Sequence, residues 1–295
     1  MQEPKVPTSD LLFNYAMYSE RTLKNRILAF ICEQRPPVVI MGYPIALVGA
    51  TLALGHLPTI LEMVQIFVAT YLIVSGMHVI HDVIDFERDK KKWPMRSLST
   101  GLIGRHELAV YGIFMGAIGT ALAYLWFTWQ CTLIVILVLI LGSIYTKCMR
   151  DKIGYLTVIW VPAFLPVGGW VAFSSQTLFT SLPWLLYLFM VMHQVGMIVY
   201  AEPRTLAPEI KAFLIKPGPR KEAMLYVFSV VLMFIIGVII YLSATLHWIY
   251  LVILSVLTIF SLVSGMPMLR DPMSVDNVKK AFMALSTTTY STGWH

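Results

Sequence analysis

Charge is scarce in this sequence. Of 295 residues, 13% are Asp, Glu, Lys or Arg and 58% are hydrophobic, whereas a typical soluble domain is about 25% charged. With a mean hydropathy of +0.73, the composition excludes an ordinary soluble domain. Cysteine is nearly absent: Cys32, Cys131 and Cys148 stand far apart with no metal-ligand spacing, which suggests neither a disulfide framework nor a zinc site. The polar, amphipathic first 34 residues lack the short apolar core of a cleaved signal. Basic residues are missing from four of the loops between apolar runs. All 22 Lys and Arg fall before the first run, after the last, or in the alternate loops. By the positive-inside rule the N-terminus and the charged loops are expected on the cytoplasmic side. The net charge of +6 then reflects orientation and anionic ligands, and it gives no reason to expect nucleic acid.

What is present is long and apolar. Eight runs, near 37–55, 59–80, 107–127, 130–146, 153–173, 182–200, 223–243 and 247–264, approach the roughly 20 residues that a helix needs to cross a bilayer. They are too long for barrel strands, and in lipid a helix satisfies its own backbone. The expected fold is an all-α, polytopic membrane helical bundle with eight clear transmembrane helices. Residues 1–34 form a cytoplasmic N-terminal segment and 35–270 the membrane domain. Residues 271–295 form an interfacial helix or a shortened ninth span.

One stretch breaks the oily pattern. In "MHVIHDVIDFERDKKKWPMRSLSTG", residues 77–101, four acids fall within eight residues at the end of an apolar run. If the second helix continues through them, Asp82, Asp85 and Asp89 lie within about 60° of one another at about 100° per residue. His78 shares that face, His81 flanks it and Glu87 points away. Converging carboxylates repel unless a cation joins them, and hard oxygen ligands suit Mg²⁺. Two other readings fit the same residues. One is a solvated helix end, with acids and bases neutralising each other. The other is a transition-metal site adding His78 and His81. Acids just inside a span are costly and commonly functional.

Several motifs together resemble the UbiA-type intramembrane prenyltransferase superfamily. His81, Asp82, Asp85 and Asp89 are similar to its first aspartate-rich motif, with His81 at the position of an Asn. "MRSLSTG" (95–101) resembles its Asn-Arg-Pro-Leu-x-Ser-Gly turn. "RPP" (35–37) resembles the Arg-Pro that opens its first helix, and 145–170 resembles its Tyr-to-Gly-Gly-Trp segment. The resemblance implies a helical barrel holding an isoprenoid diphosphate at its cytoplasmic mouth. Asp82, Asp85 and Asp89 would bind Mg²⁺, with Asp85 and Asp89 at the positions that matter most for turnover. Arg35, His81, Arg96, Tyr145, Lys147, Arg150 and Tyr200 would contact substrate. Tyr145, Trp160, Phe164, Trp170 and Tyr187 could steady a carbocation; each is otherwise a packing residue.

The second acidic motif of that superfamily does not appear. Its two aspartates align with Arg204 and Pro208, and Glu202 and Glu209 are the acids nearby. Arg204 either replaces a second metal as a catalytic diphosphate ligand or stands as one more cytoplasmic charge in a decayed second half. Three functions follow from these residues. The first is Mg²⁺-dependent transfer of a prenyl group to a lipophilic acceptor. The second is cyclisation of the prenyl chain by a terpene cyclase of the same superfamily. The third is a membrane transporter or lipid-binding protein without catalysis. A transporter would bury its charges nearer the midplane.

Overall fold

The computed structural model describes residues 21–92, 94, 96–148, 156–174, 180–201, 219–272 and 274–290. Among these there is helix and no strand. Eleven helices follow in order: α1 Leu23–Glu33, α2 Pro36–Leu54, α3 Ile60–Ile84, α4 Phe86–Lys92, α5 Arg105–Trp126 and α6 Trp129–Cys148, then α7 Leu156–Phe173, α8 Ser181–Ala201, α9 Pro219–Ala244, α10 Ile249–Arg270 and α11 Val275–Tyr290. Each of the eight apolar runs has its helix. Five are long and apolar enough to cross a membrane, in α3, α5, α6, α9 and α10, and shorter apolar helices occupy the other three runs.

The chain divides into two compact units, 1–47 with 58–147 and 48–57 with 148–295. In the first, α3 begins on a capping box. Thr59 Oγ1 accepts from the Glu62 backbone at 3.3 Å, and Glu62 accepts from the Thr59 backbone at 2.7 Å, satisfying two otherwise orphaned donors. The helix then packs against α5 through small residues. A Cβ placed on Gly76 would lie 2.7 Å from the Gly116 backbone nitrogen, and one on Gly119 would lie 2.8 Å from Ile73. Close backbone approach of this kind drives helix association in lipid, where burial of apolar surface gives little.

The second unit is built around Tyr226 of α9. Its ring packs where a side chain on Gly265 of α10 would clash, and its hydroxyl reaches the carbonyls of Ser261 (3.2 Å) and Ala281 (3.1 Å). Val278, Ala281 and Leu285 of α11 are buried in the same core. The segment 271–290 thus contains a helix with a packed face. Pro162 and Pro166 lie inside α7, where each removes a backbone hydrogen bond.

The expectation that the second apolar helix runs on to Asp89 is corrected. α3 stops at Ile84, Asp85 caps it in a near-zero ψ conformation (φ −82°, ψ 2°), and α4 starts afresh at Phe86. The break falls between Asp82 and Asp89, yet both carboxylates still reach one Arg96 nitrogen.

Candidate functional site

The polar cluster of the first unit gathers where α1, α3 and α4 end. Arg35 sits at the α1–α2 joint with a left-handed backbone (φ 54°), a conformation that non-glycine residues adopt rarely and that a following proline disfavours. Its guanidinium donates to Asp82 Oδ1. Arg96, from the turn after α4, donates to Asp89 Oδ2 at 2.6 Å, and the same nitrogen lies 3.6 Å from Asp82 Oδ1. Cations and anions therefore alternate: Arg35, Asp82, Arg96, Asp89. Asp82 is 6% exposed, and a buried carboxylate of this kind requires paired charge to be tolerated. Its second oxygen, Oδ2, is buried with no hydrogen-bond partner among the described residues. Burial holds the Asp89 carboxyl above its ordinary range, against the opposing pull of Arg96.

A second layer braces the first. Glu33, buried at the end of α1, accepts from Ser97 Oγ at 2.6 Å, which ties the Arg96 turn to α1. The neighbouring Gln34 donates to the Tyr111 hydroxyl and accepts from Tyr71 OH at 2.7 Å. Sequence reasoning missed Glu33 and Ser97. The available signal was a lone acid two residues before Arg35 on the inward face of an amphipathic helix, beside buried Ala29 and Cys32.

Burial first, then the nearby Asp82 charge, push the Glu33 carboxyl from 4.5 up to about 7, while Ser97 and the guanidiniums pull it down. A group that holds its proton more tightly when folded costs stability as pH rises past its unfolded value, and the cost is complete above the folded one. The melting temperature should therefore fall as pH climbs from about 5 to about 8, and Glu33→Gln should flatten that decline. Parallel slopes in thermal melts of the two proteins would show that Glu33 is ionised throughout.

The other expected residues divide. His81 is part-buried in the last turn of α3 and Asp85 caps that helix. Tyr145 is buried in α6, and Lys147 is exposed at its end. Among the described residues no ion pair joins Lys147 to the Arg–Asp chain. Arg150, Glu202, Arg204, Pro208 and Glu209 lie outside the described residues, as does the side chain of Tyr200. In the second unit Phe164 lies between Trp160 and Tyr187, with ring centroids at 6.1 and 4.8 Å.

No three Asp, Glu, His or Cys side chains among the described residues stand close enough together to hold a metal ion. Two carboxylates do share one cation, the Arg96 nitrogen. Asp82 and Asp89, with a free buried oxygen on the former, fit a hard ion that takes one or two carboxylates and completes its shell with water and phosphate. They fit a fully protein-made site poorly.

The family model for the UbiA prenyltransferase family matches residues 43–287. Among curated proteins, a digeranylgeranylglyceryl phosphate synthase of Thermococcus sibiricus is 31% identical over 145 residues, 48% of this chain and 52% of that protein. A protoheme IX farnesyltransferase of Saccharolobus islandicus is 24% identical over 158 residues, 53% and 55% of the two chains. The chain thus aligns with about half the length of these relatives. Solved structures extend the likeness in fold. A UbiA homologue from Aeropyrum pernix superposes with a TM-score of 0.70 at 18% identity, over 85% of this chain and 96% of that one. One from Archaeoglobus fulgidus, bound to DMAPP and Mg²⁺, gives 0.63 at 15%, over 87% and 99%.

Proposed function

Because the chain belongs to the UbiA prenyltransferase family, we propose that it is an intramembrane enzyme that ionises an isoprenoid diphosphate and transfers the prenyl group to a lipophilic acceptor. The observation that carries this reading is the alternating chain of Arg35, Asp82, Arg96 and Asp89 at the end of a membrane-length helix. A diphosphate leaving group needs fixed cations, and a hard metal ion needs carboxylate oxygens. This cluster supplies both within one ion-paired group.

Asp82 and Asp89 would hold Mg²⁺, with Asp85 added on the strength of the sequence motif. When bound, the ion offsets the charge that develops on the departing diphosphate. Arg35 and Arg96 can turn from the carboxylates to phosphate oxygens, where a planar guanidinium grips through two parallel bonds. The Glu33–Ser97 bond keeps the Arg96 turn in place during that exchange. On sequence grounds Lys147, Arg150 and Arg204 add further positive charge for the diphosphate, and His81, Tyr145 and Tyr200 are the remaining substrate contacts. The charged loops belong on the cytoplasmic side, with eight spans and α11 as an interfacial helix or a shortened ninth span. The relatives are named for farnesyl transfer and for a digeranylgeranylglyceryl phosphate, and neither name describes a cyclisation. Transfer to an acceptor is accordingly preferred to ring closure.

Purified protein should be incubated with geranyl, farnesyl and geranylgeranyl diphosphates, with and without phenolic and prenylated glyceryl phosphate acceptors. Pyrophosphate release that needs an acceptor, needs Mg²⁺ and stops with a chelator is the expected result. Cyclic hydrocarbon formed without acceptor would replace transfer by cyclisation. Full activity in excess chelator would remove the metal from the reading.

A further inference from the structure

The N-terminal helix α1 carries a feature that prenyl transfer does not use. Its buried face is Ala29, Cys32 and Glu33, but Leu23, Ile27 and Ile31, recurring every fourth residue, are exposed by 75, 53 and 39%. Ile27, Phe30 and Ile31 form one wall of a groove of about 480 Å³. Val110, Tyr111 and Phe114 of α5 form the other, and Glu107 stands at one end. The edge-to-face contact of Phe30 with Tyr111, at 5.0 Å between centroids, closes the floor. The Tyr111 hydroxyl is engaged inward by Gln34, so the lining is almost wholly carbon.

What fills this groove is constrained by where it runs. α5 is one of the membrane-length helices, and Val110, Ile113 and Phe114 are more than 60% exposed on it. In a chain of this family that surface meets hydrocarbon. From Glu107, in the first turn of α5, to Phe114 the helix rises about 10 Å, so the groove descends from the level of the helix end into the apolar layer. The start of α1, beside the Glu107 end, has no acid in its first turn and is basic. Arg26 pairs with Glu107 at 2.9 Å, and Arg105 lies 3.9 Å from Glu87. Those two acids are thereby matched. Arg21 and Lys24, both exposed, have no acidic partner among the described residues.

We infer that the α1–α5 groove is a binding site for an anionic phospholipid drawn from the bilayer. One acyl chain lies along Ile27, Ile31, Val110 and Phe114, and the phosphate is met by Arg21 and Lys24. A helix with an apolar stripe and flanking basic residues binds an interface in proportion to its buried apolar area and its attraction to anionic headgroups. A polybasic segment is drawn to such a surface by its negative potential. A zwitterionic lipid offers the same tail without the net charge, and free phosphate offers the charge without the tail. The site stands apart from the Arg35–Asp89 cluster, so it does not depend on the chain transferring prenyl groups.

The test is native mass spectrometry of the full chain released from nanodiscs of equal dioleoyl phosphatidylglycerol and dioleoyl phosphatidylcholine. One phosphatidylglycerol should remain bound per chain, several-fold in excess over phosphatidylcholine, and millimolar inorganic phosphate should not displace it. The double variant Arg21→Glu, Lys24→Glu changes exposed positions only and should erase the headgroup preference while a lipid is still retained. Ile31→Trp, which fills the groove, should remove the retained lipid, with its melting temperature in detergent confirming that it folds. Equal retention of the two lipids by the wild type would overturn the inference. So would an unchanged phosphatidylglycerol excess in both variants, displacement by inorganic phosphate, or a lipid-free dimer in place of the lipid-bound chain.

Discussion

Asp89→Asn should lower acceptor-dependent pyrophosphate release by at least about 100-fold, the scale of losing one electrostatic stabiliser of a developing charge, while leaving the melting temperature nearly unchanged. The reason for the second half is Arg96. When Asp89 loses its charge, the same guanidinium still has Asp82, 3.6 Å away. Asp82→Asn should behave differently. Asp82 is the buried middle of the chain and faces both Arg35 and Arg96. Its loss leaves cations that are partly desolvated and under-compensated, a class of change that costs about 3–5 kcal/mol when the pair is fully buried. Asp82→Asn is thus expected to lose both turnover and several degrees of thermal stability. Asp85→Asn, at a helix cap in the sequence motif, should lose turnover and keep its fold. Activity assays beside thermal melts of all three variants separate the roles. Near-wild-type turnover in Asp89→Asn would detach the Arg–Asp chain from catalysis altogether.

The second large effect concerns stability alone, and it is expected to have opposite signs at two glycines that face each other. An added methyl on Gly76 would lie 2.7 Å from the Gly116 nitrogen and 2.9 Å from the Gly112 carbonyl oxygen. Both obstacles are backbone, so no side chain can swing aside, and α3 and α5 must separate along their shared face. Overpacking of this kind typically costs about 1–3 kcal/mol. Gly76→Ala should therefore lower the melting temperature by several degrees, and Gly76→Leu should prevent recovery of monodisperse protein. Gly116→Ala should do the reverse. Nothing lies within 4 Å of its added methyl, and alanine is favoured over glycine in a helix by about 1 kcal/mol. Detergent-solubilised melts of the two alanine variants are a direct comparison. Equal stabilisation by both would mean that α3 and α5 do not meet at these residues.

The sequence by itself determined the membrane helices, because that decision is local and one-dimensional. In hydrocarbon a backbone must bond within its own segment, so runs such as 59–80 and 107–127 had to be helical whatever surrounded them. The structure places α3 and α5 there. The chemistry of the candidate site was legible for a similar reason. Four acids and a following Arg turn stand out against a chain with few charges; Asp82, Asp85 and Asp89 were named from their spacing, and His81 and Arg96 from their resemblance to the UbiA motifs. The tertiary structure alone decided how those groups pair. Extending α3 through Asp85 was sound by periodicity, yet the helix ends at Ile84. The interactions that organise the cluster come from residues remote in sequence: Arg35 reaches Asp82 across 47 positions, and Ser97 reaches Glu33 across 64. Glu33 and Gln34 were unreadable as site residues because their significance lies in Ser97, Tyr71 and Tyr111, none of them a sequence neighbour. Hydrophobic length is a property of a segment. Compensation of buried charge is a property of the groups that close around it, and those are brought together only when the helices pack.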